Sequence, residues 1–282
     1  MKRVYLDNAA TTKIDPRVLE AILPYFDKRY GNTMSLHSWG QEAKRALDKS
    51  REIVAETIGS RADEIIFTGS ATESNNLALK GIAQANYQKG KHIIISSIEH
   101  PCVMESALWL EKQGFEVTRL PVDSLGRINP QDLDDAIRED TILASIIYAS
   151  HEIGTIQPVE ELARICHQRG VLFHTDATQF LGKGAVSLEN IDLLTASSHK
   201  IYGPKGAGLL YLKRGIKIEP ILHGGGQEFN KRSSTVNLPA VVGFAEACRI
   251  TIDEREKENK RIRDLRDKTI NKILEIKDVK LN

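Results

Sequence analysis

Seven short runs of β-branched and aliphatic residues alternate with longer helical patterns, and this alternation leaves the chain few architectures to choose from. The runs are EIIFTG (64–69), HIIISS (92–97), FEVTRLPV (115–122), ILASIIYAS (142–150), VLFHTD (171–176), DLLTASS (192–198) and GLLYLKR (208–214). Several are apolar on both faces, as strands covered by helices on each side should be. Helical patterns fill 72–88, 101–113, 130–138 and 158–168, and the last three begin at Pro101, Pro130 and Pro158. Together they predict an α/β fold with a mainly parallel sheet. Only a glycine turn joins 192–198 to 208–214. That is too short for a parallel crossover, so one of these two strands should be antiparallel.

The ends read differently. Residues 16–30 and 39–58 predict two helices, and Pro239 to about Glu275 predicts one very long helix or two joined ones. The charge run DEREKENKRIRDLRDK lies within it, and Ile262, Leu265, Thr269, Ile273 and Ile276 recur at helical spacing, predicting a packed stripe. VKLN at the end reads as the start of a strand, after which further chain is expected.

With 282 residues, 41% hydrophobic and 27% charged, the chain is long enough for one full core and a smaller appendage. A formal charge of +1 argues against a nucleic-acid or anionic-membrane surface. No window reaches the about 18 apolar residues of a membrane span, and MKRVYLDNAATT has no leader-like apolar stretch, so a cytoplasmic setting is expected. Cys102, Cys166 and Cys248 are odd in number and scattered, which excludes a disulfide framework or zinc finger. Cys166 and Cys248 read as core residues, and Cys102 as a core residue at a helix start.

Ligands of parallel α/β sheets bind beyond the carboxyl ends of the strands. Polar groups crowd those positions here: GSAT after the first strand, His100 after the second, His151 after the fourth, and His174, Asp176 and Gln179 at the fifth. Ser197, Ser198, His199 and Lys200 close the sixth. An aromatic aldehyde cofactor with a phosphate tail would use each of them. GSAT, with Ala71 and Thr72, offers hydroxyls and free N–H groups at a helix start, a phosphate seat. Asp176 can pair with a protonated pyridine nitrogen, or simply cap the following turn. His100 can stack on a ring, or serve the structure alone. Lys200 can form a Schiff base with the aldehyde, or be an ordinary solvated lysine beside a glycine turn. Lys205 rivals it for a phosphate role. A metal site on His174, Asp176 and His199 lacks a third ligand at fixed local spacing, so no metal is expected.

The segments YLDNAATT, HSWGQEA, EIIFTGSATESNNLALKG, SIEHPCV, EIGTIQPVEELA, FHTDATQFLGK, SSHKIYGPKGAG and HGGGQE together resemble, in order and over essentially the whole chain, the cysteine desulfurases of the NifS/IscS type. These belong to the class-V aminotransferase group and use pyridoxal 5′-phosphate. The resemblance implies a type I pyridoxal-phosphate transferase fold: a large domain with a mainly parallel seven-stranded sheet, helices on both faces, and an incomplete small domain. It divides the chain into 1–15, associated with the small domain, a cofactor-binding 16–257, and 258–282 as the small domain's start. By position, Lys200 matches the Schiff-base lysine, Asp176 the pyridine-nitrogen partner, Gln179 the donor to the ring oxygen and His100 the stacking histidine. Thr72, Ser197 and His199 match phosphate ligands. Thr235 matches a threonine reaching the phosphate of a second subunit, which implies a homodimer.

Departures from the family pattern cluster near this site. Ser150-His151 stands where the family has two asparagines, and His151 can donate to the ring oxygen in place of the second. SSHK replaces SGHK, RSST replaces RSGT, and GNTMSLH replaces GNPSSLH, so Ser198, Ser234, Thr33 and Met34 are unusual. Family members continue into a loop carrying the cysteine that takes the sulfur, and none of the three cysteines here matches it. The expected reaction is therefore L-cysteine to L-alanine plus an enzyme-bound persulfide for iron–sulfur or thio-cofactor assembly, impaired in this chain, with a sulfur-acceptor or scaffold protein as a possible partner. A non-catalytic remnant or split-subunit partner, and an aminotransferase or lyase needing no thiol, are the alternatives.

Overall fold

A computed structural model describes residues 3–281. In chain order the elements are α1 (Pro16–Ile22), α2 (Pro24–Asp27), α3 (Ser38–Ile58), β1 (Ile65–Thr68), α4 (Ala71–Asn76), α5 (Ile82–Ala85), β2 (His92–Ser96), α6 (Pro101–Lys112) and β3 (Glu116–Leu120). They continue with α7 (Pro130–Ala136), β4 (Thr141–Ile147), α8 (Val159–Gln168), β5 (Leu172–Asp176), β6 (Leu193–Ser197), β7 (Gly208–Leu212) and α9 (Leu238–Leu274). A π-helical stretch, Leu77–Gly81, joins α4 to α5, so the helix after β1 runs unbroken.

All seven expected strands form one sheet, in the order β1-β7-β6-β5-β4-β2-β3. β2 to β6 pair in parallel, and β7 runs antiparallel to both β6 and β1, as the short connection requires. The two-residue side-chain period of the strands divides the core. Phe67, Ile94, Ala144, Phe173 and Leu194 face a cluster with α3, α7, α8 and the first part of α9. Ile66, Ile93, Ile95, Leu143 and Leu210 face the opposite cluster, under α5 and α6. Helices thus cover both faces, and the parallel strands' carboxyl ends lie along one edge, where the polar loops gather.

Three local expectations need correction. The stretch 16–30 is two short helices, because Pro24 has no N–H to continue α1 and instead opens α2. Among the described residues VKLN starts no strand: residues 279–281 are irregular and pair with no described strand, and Asn282 lies outside the described residues. The predicted stripe on α9 is not packed. Leu238, Val241, Phe244, Ala245 and Cys248 are buried, but Ile262, Leu265 and Ile273 are about half exposed. The last side-chain hydrogen bonds from α9 to the body come from Arg255 to Gly184 O and Asn259 to Lys183 O.

Candidate cofactor site

The loops at the strands' carboxyl ends enclose a cavity of about 450 Å³. Ala71, Thr72, His100, His151, Asp176, Gln179, His199 and Lys200 all line it, as do Asp7, Ala9, Ala10, Ser70, Cys102 and Thr178.

Asp176 ends β5 and is buried. Its Oδ1 accepts from Thr178 N at 2.9 Å and its Oδ2 from Asn75 Nδ2 at 2.6 Å. One oxygen therefore caps the following turn, as one of the two sequence expectations has it, while the residue still lines the cavity. His100 caps α6 by accepting from Cys102 N, and its ring lies 5.2 Å from that of His151. Burial lowers the His100 pKa against the pull of Asp176, which keeps the imidazole neutral at neutral pH. Glu99, next in the chain, is buried: its Oε1 accepts from Ser96 Oγ at 2.5 Å and from Ile147 N at 2.7 Å, tying β2 to β4 behind the histidine. Burial pushes its carboxyl up to about 8.

Lys200 is not an ordinary solvated lysine. It ends a 3-10 turn, Ser198–Lys200, directly after β6, and its Nζ donates to Ala9 O and, at 2.9 Å, to Ala10 O. The N-terminal segment is held over it by Thr12 N donating to His199 O at 3.0 Å and by Gln179 Nε2 donating to Ala9 O at 2.9 Å. Burial lowers the Lys200 pKa, with Asp176 and Asp7 opposing. The glycines behind it have steric reasons. A Cβ on Gly208 would lie 2.4 Å from the Ser70 carbonyl carbon, and one on Gly203 would lie 2.0 Å from Ser198 Oγ. Gly208 thus lets β7 pass the GSAT turn, and Gly203 makes room for the unusual serine.

The GSAT turn is held by the cap residue Ser70 and by Glu73, three residues on. Ser70 Oγ accepts from Glu73 N at 3.1 Å, and Glu73 Oε2 reaches back to Gly69 N at 2.7 Å. The N–H groups of Ala71 and Thr72, first in the helix, have no partner within it, and both residues open on the cavity.

Other expected residues are not gathered here. Ser197 is buried beside the cavity without lining it. Lys205 is exposed on the glycine turn. His174 turns to Ser145 Oγ and Thr195 Oγ1, and among the described residues no three His, Cys, Asp or Glu side chains converge as a metal would need. Cys102 is at a helix start, as expected, but half-buried at the cavity rather than in the core. Thr235 is exposed on an arm, 222–237, away from the cavity of its own chain. That arm is anchored by Arg51, whose guanidinium donates twice to Glu228, both bonds at 2.6 Å. The pair holds Glu228, Phe229 and Asn230 at φ of 48°, 59° and 64°, a left-handed run costing about 1–2 kcal/mol per residue.

A cofactor with a phosphate, a ring oxygen and a ring nitrogen fits what remains. Among the described residues, Thr178 Oγ1 and His151 Nδ1 at the cavity and Ser197 Oγ beside it are buried with no partner, and Ala71 and Thr72, whose N–H groups lead the helix, open on the cavity.

Comparison with known proteins agrees. The family model for aminotransferase class-V matches residues 4–282. A cysteine desulfurase IscS of Dictyoglomus turgidum is 49% identical over 100% of this chain and 73% of its own length. The solved structure of a NifS-like protein superposes with a TM-score of 0.95 at 42% identity, covering 97% of this chain and 76% of that one. A structure described as SspA in complex with cysteine superposes at 0.85, with 39% identity over 88% of this chain and 72% of the other. The chain belongs to the cysteine desulfurase family of class-V aminotransferases, and its cofactor is pyridoxal 5′-phosphate.

Proposed function

We propose that this chain holds pyridoxal 5′-phosphate through Lys200 and acts on L-cysteine, in the reaction that yields L-alanine and leaves the sulfur as a persulfide on a thiol. The observation that carries this reading is the convergence of Lys200, Asp176, His100 and the free N–H groups of Ala71 and Thr72 on one cavity. The cysteine bound to the SspA structure supports the choice of substrate.

When bound, the cofactor supplies an electron sink for the bonds at the amino-acid α-carbon. Asp176 holds a proton on the ring nitrogen, its position fixed by Asn75 and Thr178. His100, kept neutral by burial, stacks on the ring. Gln179 and His151 donate to the ring oxygen. Ala71, Thr72, Ser197 and His199 hold the phosphate, and Thr235 reaches the phosphate of a second copy in a homodimer. The depressed pKa of Lys200 enlarges its neutral fraction, the form able to take a proton from the substrate α-carbon.

The cysteines favour a second reading for the final sulfur transfer. Burial pushes Cys166 and Cys248 up to about 12 and Cys102 up to about 11, so all three stay protonated and weakly nucleophilic. The accepting thiol then comes from outside the described residues, with this chain acting as a cofactor-binding, split-subunit partner. The division into 1–15, 16–257 and 258–282, a sulfur-acceptor or scaffold partner and a cytoplasmic setting belong to the same proposal. Among the described residues no helix is long and apolar enough to cross a membrane.

The test is purified chain with cofactor and L-cysteine. Before L-cysteine is added, the absorbance of the lysine-linked cofactor should appear in the wild type and in C102A and vanish in K200A; after it is added, no persulfide should form on Cys102 of the wild type. Cofactor absorbance that survives in K200A contradicts the reading, and a Cys102 persulfide contradicts the role of an external thiol.

A further inference from the structure

Arg232 lies on the 222–237 arm, between the Arg51–Glu228 anchor and the exposed Ser234 and Thr235. Its guanidinium grips Glu73 in two places, Nε to Oε1 at 2.6 Å and Nη2 to Oε2 at 3.0 Å. Both side chains are largely shielded, at 15% and 18% exposure. The same Glu73 Oε2 accepts from Gly69 N, and a Cβ on Gly69 would meet that oxygen at 2.9 Å. A carboxylate therefore sits on the turn whose Ala71 and Thr72 N–H groups face the cavity.

A carboxylate in the first turn of a helix is drawn to the same free N–H groups and positive dipole end that draw a phosphate. Left unpaired, Glu73 would compete for those donors and repel a bound dianion. The bidentate grip offsets its charge and keeps Oε2 on Gly69 N, out of the phosphate's place. We propose that Arg232 is a positioning residue of the phosphate seat, restraining and neutralising Glu73 so that Ala71 and Thr72 remain free for the cofactor. This rests on the reading of Ala71 and Thr72 as that seat. It also makes the arm bearing Thr235 part of the site through an ion pair within one chain.

The test compares binding of pyridoxal 5′-phosphate and of pyridoxal, the same ring without phosphate, to the full cofactor-stripped chain by absorbance titration. R232M should weaken the phosphorylated ligand by about tenfold and pyridoxal by less than about twofold, and R232M/E73Q should recover most of the loss. Equal weakening of both ligands, or a double variant no better than R232M, overturns the proposal. R232K keeps the charge but loses the fork, and serves if R232M does not fold: it should show a smaller, still phosphate-selective loss, and an unselective one counts against the proposal. A71P removes one seat donor at a position proline tolerates, since Ser70 is already extended at φ −173° and ψ 165°. A phosphate-selective loss in A71P with none in R232M sinks the Arg232 proposal alone. An A71P chain that binds the phosphorylated ligand normally sinks the seat, and the proposal with it.

Discussion

Lys200 lies with its amine against the carbonyls of Ala9 and Ala10, and its burial sets its chemistry. Its pKa lies below the ordinary 10.5, so at any pH more of it is the neutral nucleophile. The rate of cofactor uptake should climb with pH and reach its midpoint below 10.5; a midpoint at or above that of a free lysine contradicts the burial argument. Lys200, Asp176 and His100, the residues proposed to act, stood out in the sequence because each closes a strand or lies in the loop just beyond one. Their partners were not legible. Glu99 meets Ile147 N across 48 residues, Asn75 meets Asp176 across 101, and Lys200 meets Ala9 across 191. YLDNAATT stood out as a motif, but only folding shows that its carbonyls reach the lysine.

Single elements carry their own tests. His174, buried in β5, is pushed down to about 4 from 6.5, so below 6.5 the unfolded chain binds a proton that the folded chain refuses. Stability present above 6.5 is lost as pH falls towards 4, by up to about 3 kcal/mol. Glu99 acts in the opposite sense: raised from 4.5 to about 8, it keeps a proton that the unfolded chain loses, so stability falls as pH climbs through that window. Melting temperatures from pH 4 to 8 should show both limbs, the acid one flattened in H174N and the alkaline one in E99Q. An unchanged acid limb in H174N removes His174 as its source. G208A should cost about 1–3 kcal/mol and weaken cofactor binding, because its Cβ would press on the Ser70 backbone. R51M should cost about 3–5 kcal/mol by leaving Glu228 buried and unpaired, read by denaturant unfolding. The strands were readable from their β-branched runs, and loop length showed that one of the last two is antiparallel, but not that it is β7. The break at Pro24 was missed because the apolar pattern continues across it, whereas the left-handed run at 228–230 has no glycine to announce it.

Over the whole molecule, α9 links a well-packed body to a surface with no partner among the described residues. Its first turns pack against α1 and α3, whereas Ile262, Leu265 and Ile273 are half exposed. Helical spacing revealed that stripe, but spacing cannot say what covers it. Amides 260–274 should exchange with solvent far faster than those of 238–250, and strong protection in the isolated chain counts against this picture. The central claim is that the cavity at the sheet edge holds pyridoxal 5′-phosphate through one lysine. Borohydride reduction of the cofactor-loaded chain, followed by peptide mass spectrometry, tests it most directly. The pyridoxyl mass is predicted on the peptide containing Lys200 and no other; its appearance on Lys183 or Lys205, or its absence, would contradict the claim.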